Sequence, residues 1–320
     1  MLTKSYQERT VLYAFLLVPI FFGASYFLLH FYVDGDQVHY HRFYNSLKFA
    51  TFQEVPSLAL AQLSSREVLS PYLIWIGASL GIDKNVYVSF LNVLLLSGIF
   101  LILRKHHVSW LAVALVLTNF YTVVLLTGAE RLKIAFIIIV YAFYFSGLVR
   151  NVLLFLSPMA HFQSLLFFPS IIFCTLAKDV KIFLRRRAIR VSSFRMVVVA
   201  GLSSFFIAYF FWDGIFIKGA SHAARDTSAL ELLNIIILSF VSIFVAVNKF
   251  RIMMALLPFY PMIAILGGMR INMLAVVTVI YLLMVEHKLN HPAMILMLTY
   301  FSYKSVPFIK NIIVYGNGFF

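Results

Sequence analysis

The sequence predicts an all-α polytopic integral membrane protein, a single bundle of about eight transmembrane helices with short re-entrant and interfacial helices. Three observations carry this prediction. The 320 residues are 62% hydrophobic and 12% charged, whereas a soluble domain carries about 25% charged residues. The mean hydropathy is +0.93, and apolar runs of about 18 residues or more, each able to cross a hydrocarbon core, recur along the chain. Strand-like alternation is absent, which excludes an outer-membrane barrel.

Lys4 and Arg9 precede the first apolar run, residues 11–31, and predict a cytoplasmic N-terminus. That run is longer than the core of a signal peptide and has no small-residue cleavage pattern after it, so it reads as a retained helix. Residues 32–81 are too apolar for a linker and too polar to span. They predict an external, interfacial and partly re-entrant segment, with Asp36, His39, Tyr40 and Phe43 on one helical face. Residues 86–103 then cross inward, 110–127 outward, and 132–149 inward to Arg150.

Next comes an apolar stretch, 151–177, and then the basic run KDVKIFLRRRAIR at 178–190. One crossing would put that run outside, against the positive-inside rule. A re-entrant helix pair bent near SPMAHFQ keeps 178–195 as a basic cytoplasmic loop, and Pro158 suits the bend. The alternative is that the basic run is external. Residues 196–212 go out, 213–229 form an external loop, 230–247 return, 253–266 go out, 273–285 return, and 293–314 make the last exit. No internal repeat or separate soluble domain is visible, so residues 1–320 read as one transmembrane domain. The lone cysteine, Cys174, allows no disulfide framework.

The net charge of +14 is explained largely by this placement, so no nucleic-acid partner is expected. Arg131, Lys133, Arg225 and Arg270 are the informative excess, because each falls at an outer helix end. Each taken alone reads as a snorkelling anchor before it reads as a ligand. Together they suit an anionic group such as a diphosphate. Asp34, Asp36, His39, Tyr40 and His41 form a second cluster, read either as a solvated loop or as a contact for sugar hydroxyls or a general base. His39 and His41, two apart, share a face in a strand and not in a helix, so no metal site is expected.

His161 falls at membrane depth, where an ionisable side chain is a functional candidate or a neutral imidazole satisfied by a carbonyl. Glu67 is a contact residue or the start of a capped helix. His222, Arg225 and Asp226 make a lid or a solvated loop. There is no glycine-rich nucleotide loop, zinc spacing or nucleophile elbow, so no cofactor is expected.

The order of DGDQVHYHRFYN, REVLSPYLIW, ERLKIA, AHFQSLLFFP and GGMRINML along the whole chain resembles the EpsG-like branch of Wzy-type polysaccharide polymerases. The resemblance implies a GT-C-like membrane glycosyltransferase in the bacterial inner membrane, with its active site facing the periplasm or exterior. It would join undecaprenyl-diphosphate-linked repeat units of O-antigen (lipopolysaccharide), capsule or exopolysaccharide, without metal. Lipid-linked donor and acceptor, bilayer lipids and a chain-length regulator protein are the implied partners. On this reading Arg131 and Arg270 hold the diphosphate, with Lys133 and Arg225 in support. Asp36 and His161 are rival bases, while Asp34, Tyr40, Glu67 and His222 contact substrate. Two other classes compete: a transporter or flippase for an anionic lipid-linked glycan, and an O-antigen ligase or acyltransferase.

Overall fold

The computed structural model describes residues 4–186, 229–266 and 268–319. Among these every regular element is helical, as expected of an all-α membrane protein. The chain divides into two compact units, Met1–Leu165 with Leu298–Phe320, and Leu166–Met297. Among the described residues three helices are long and apolar enough to cross a membrane: Glu8–Phe31, Lys84–Lys105 and Gly268–Val285. Trp110–Leu117 and Phe120–Thr127, bent by 45° at their junction, make a fourth if read as one broken span.

The first unit contains α1 (Lys4–Phe31), α2 (Asp36–Leu47), α3 (Val55–Leu63), α4 (Leu69–Ser79), α5 (Lys84–Lys105), α6 (Trp110–Leu117), α7 (Phe120–Thr127), α8 (Glu130–Tyr144) and α9 (Gly147–Ala160). Helix α1 runs antiparallel to α5. Tyr6 donates to the Arg104 carbonyl at 3.1 Å, Phe22 packs on Phe90 at 5.0 Å, and Asn92 donates to Ser25 at 2.5 Å. Helix α8 runs parallel to α5, with Tyr141 donating to the Leu94 carbonyl and Lys105 to that of Tyr144. Gly98 makes that approach possible, since a Cβ there would lie 2.9 Å from Val140 Cγ1.

The expected crossing at 110–127 is broken for local reasons. Thr118 Oγ1 bonds back to the Ala114 carbonyl at 2.9 Å, and Asn119 Oδ1 accepts from Tyr121 N at 2.9 Å, capping a new helix. The expected helix over 132–149 ends at Tyr144, and the chain restarts at Gly147 with φ +65°.

Between α1 and α5 the three short helices pack on the first turns of α8 and the end of α9. Phe43, Tyr44 and Leu47 of α2, Val55 and Ala59 of α3, and Ile74 and Ala78 of α4 share one core with Ile134, Ala135 and Ala160. This core fixes where the polar ends of those helices meet. Phe49, 93% exposed, lies just outside it, and Phe52 stacks on Tyr72 at 4.4 Å. Such exposed aromatics suit a membrane interface.

Helix α9 ends at His161, whose backbone is extended (φ −158°, ψ 122°), within the SPMAHFQ segment. A short 3-10 turn, Phe162–Leu166, follows. The second unit holds α10 (Phe167–Arg186), α11 (Ala229–Val245), α12 (Lys249–Leu256), α13 (Phe259–Leu266) and α14 (Gly268–Val285). Ser170 donates to the Ala255 carbonyl at 2.7 Å, Tyr260 to Ser239 at 2.8 Å, and Asn272 to the Glu231 carbonyl at 3.1 Å. Pro258 separates α12 from α13, where the sequence reads as one helix over 253–266. Lys178 and Lys181 stand on α10 rather than in a loop. The expected helix over 196–212 and all but the last residue of the expected loop over 213–229 lie outside the described residues. Helix α15 (Pro292–Tyr315) begins in the second unit and ends in the first.

Candidate functional site

The charged start of α8 sorts its side chains by helical geometry. Glu130 and Lys133, three apart, share one face, and Arg131 turns about 100° away from Glu130. Glu130 Oε2 accepts from Lys133 Nζ at 2.9 Å, and that ammonium also donates to the Leu126 carbonyl at 2.9 Å. Glu130 Oε1 accepts from Gln37 Nε2 at 2.9 Å. Glu130 is therefore engaged inside the bundle, and the carboxylate that pairs with Arg131 comes from another element.

That carboxylate is Glu67, in the connection between α3 and α4. Helix α3 stops at Ser64, a non-glycine residue in the left-handed region (φ 47°, ψ 41°), a conformation that costs on the order of 1 kcal/mol and must be held by its surroundings. Ser65 N bonds the Ala59 carbonyl and Val68 N the Met159 carbonyl, each at 3.2 Å, tying the connection to the end of α9. Glu67 Oε2 accepts from Arg131 Nη1 at 2.6 Å and Ser65 Oγ at 2.7 Å. Glu67 Oε1 faces His161 Nδ1 at 2.5 Å and accepts from Phe162 N at 3.3 Å. Arg131 Nε reaches Tyr40 Oη at 3.5 Å.

The Glu67 side chain is 2% exposed and that of Arg131 14%. Burial alone would raise the Glu67 carboxyl. Hydrogen bonding and charge from His161, then the Arg131 charge and the Ser65 hydroxyl, outweigh it and hold the group well below the usual carboxylate range. Burial pushes the Tyr40 hydroxyl up, against the opposing pull of Arg131. His161 Nε2 lies 3.1 Å from Gln163 Oε1. In that amide orientation both imidazole nitrogens donate, as in an imidazolium. Turning the amide over presents an N–H and suits a neutral ring with its proton on Nδ1. One side-chain rotation thus separates two protonation states.

Glu67 and Ser65 also line a cleft of about 400 Å³, walled by Val55, Pro56, Leu60, Val68, Pro71 and Tyr72, with Arg66 beside them. Arg66 is exposed and makes no ion pair among the described residues. The cleft is thus apolar-walled, with the Arg66 cation and the buried Glu67 carboxylate, itself paired with His161, at its edge, as small-ligand sites often are.

Of the residues singled out from sequence, Arg131, Glu67, His161 and Tyr40 come together. Lys133 belongs to the separate Glu130 cluster and is fully buried. Asp34, two residues before α2, and Asp36, its first residue, are exposed. Arg270 is exposed on α14 of the second unit. His222 and Arg225 lie outside the described residues. Among those described, no group of three His, Cys, Asp or Glu side chains is placed to hold a metal ion. Sequence reasoning missed Arg66, Ser65, Gln163, Lys84 and Gln37. The signal for Gln37 was a polar residue in phase with Tyr44 and Leu47 on the buried face of α2.

Comparison with known protein families, curated proteins and solved structures finds no match to this chain.

Proposed function

We propose that this protein is a membrane glycosyltransferase that polymerises polyprenyl-diphosphate-linked repeat units at the outer face of a bacterial inner membrane. It crosses the membrane about eight times, with its N-terminus in the cytoplasm. The observation that carries the reading is the buried Arg131–Glu67–His161 constellation beside an apolar cleft edged by a free arginine.

The reaction suits such a site. His161, once its Nε2 is released by Gln163, takes the proton of the acceptor hydroxyl. The acceptor oxygen forms its bond to the donor's anomeric carbon as the carbon–oxygen bond to the diphosphate breaks, and the electron pair leaves on that phosphate oxygen. Glu67 is a positioning residue that fixes the imidazole's tautomer and favours its charged form. Arg66, with no ion pair among the described residues, receives the diphosphate, while Arg131 keeps Glu67 ionised. His161 is favoured over Asp36 as the base because a carboxylate orients it.

Complementation of a polymerase-null strain tests this. His161→Gln, Arg131→Ala and Arg66→Ala are each expected to abolish or strongly shorten the glycan ladder, with single repeat units accumulating outside. A wild-type ladder from His161→Gln overturns the mechanism. Repeat units trapped inside in the deletion strain would mark a flippase, and retained long polymer a ligase or acyltransferase.

A further inference from the structure

We propose that Gln37 is a positioning residue for this site, the lock through which a buried lysine–glutamate cluster holds Arg131 on Glu67. Its importance for glycosyl transfer rests on the function proposed above; its effect on Arg131 does not.

Gln37 is fully buried, on a face where an apolar residue would pack without needing partners. Both polar atoms of its amide are engaged. Nε2 donates to the Thr127 carbonyl and to Glu130 Oε1, and Oε1 accepts from Lys84 Nζ. This orientation is forced, because the flipped amide would set its oxygen against two acceptors and its NH₂ against an ammonium. One side chain thereby joins α2, the start of α5, the end of α7 and the first turn of α8. The network continues inward, since Lys133 and Asn92 both donate to the Leu126 carbonyl at 2.9 Å and Asn92 reaches Ser25.

Two short routes lead from Gln37 to Arg131. Along α2, Tyr40 is one turn on, and its hydroxyl faces Arg131 Nε. Along α8, Glu130 is the residue before Arg131. Because Gln37 and Lys133 occupy the two oxygens of Glu130, that carboxylate does not compete with Glu67 for the guanidinium. Releasing Gln37 leaves one oxygen of Glu130, the residue before Arg131, without its donor and loosens the helix that carries Tyr40. The ion pair with Glu67 then gains a rival and loses a neighbour.

The test is arginine modification by phenylglyoxal on the purified protein, with peptide mass spectrometry comparing Arg131 with exposed Arg66 as internal reference. In the wild type Arg131 is expected to react far more slowly than Arg66. Gln37→Leu should accelerate Arg131 roughly tenfold with Arg66 unchanged, the effect of one or two lost net hydrogen bonds. Gln37→Glu should do the same, because its carboxylate faces Glu130. The exchange Gln37→Glu with Glu130→Gln conserves charge and restores donor to acceptor at the Glu130 contact but not at the Thr127 carbonyl, so protection of Arg131 should return in part.

Unchanged Arg131 reactivity in Gln37→Glu, or no recovery in the exchange variant, overturns the proposal. The exchange variant keeps the side-chain sizes and so decides the matter even where Gln37→Leu fails to fold. A full ladder from Arg131→Ala would sink the transferase reading while leaving these modification rates interpretable.

Discussion

Replacing Glu67 by glutamine leaves Arg131 in place with no counter-charge. Every group on Glu67 donates to it: Arg131 Nη1, Ser65 Oγ, His161 Nδ1 and Phe162 N. An amide offers one oxygen where the carboxylate offers two, and its NH₂ must meet donors. Breaking a buried pair by removing one partner costs about 3–5 kcal/mol, and a retained hydrogen bond returns about 1 kcal/mol. A net loss of about 3 kcal/mol corresponds to a fall in Tm of about 10 °C for a unit of this size. Thermal unfolding of the purified protein, followed by intrinsic tryptophan fluorescence, measures it. Arg131→Met removes the orphaned charge, so the double variant should recover at least about 2 kcal/mol relative to the sum of the singles. A shift below about 2 °C for Glu67→Gln, or strict additivity, would refute the assignment of this pair as the site's electrostatic centre.

Two further outcomes follow from the same charges. The Glu67 carboxyl titrates lower in the folded protein than in the unfolded chain. Its stabilisation is therefore fully present above the ordinary carboxylate range, near pH 4.3, and is lost as pH falls toward the depressed folded value. Stability measured between pH 7 and 2 should show an acid limb that is flatter in Glu67→Gln. In the second cluster Lys133 pairs with Glu130 directly and Lys84 donates to Gln37, so Lys84→Met leaves the Glu130–Lys133 pair intact. It should lower stability by about 1–2 kcal/mol, the cost of leaving the buried Gln37 oxygen without its donor, whereas Lys133→Met should cost about 3–5 kcal/mol; paired denaturation curves compare them.

The membrane character was legible because it depends on composition, which no tertiary contact can reverse. Individual crossings were less legible. The run 110–127 is apolar throughout, yet Thr118 and Asn119 compete for its backbone and bend it. Arg131, Glu67 and His161 stood out as ionisable residues in apolar surroundings. Their mutual contact did not, because 64 residues separate Glu67 from Arg131 and 94 separate it from His161. Nor does spacing alone reveal that Lys133 turns inward while Arg131 turns toward Glu67. That follows only once Glu130 is known to be the first residue of α8.

The carbonyl of Gly316 accepts the backbone N–H groups of Val33 at 3.1 Å and Asp34 at 2.9 Å. The first of these groups to leave the ribosome must wait for its acceptor until the whole of the second unit has been synthesised. During that interval the hinge between α1 and α2, which carries Gln37 and Tyr40 at its far side, lacks its clasp. A nascent chain halted before residue 298 should therefore keep the helices of the first unit while leaving α2 unanchored, and protease sensitivity at residues 32–36 would report the moment of closure.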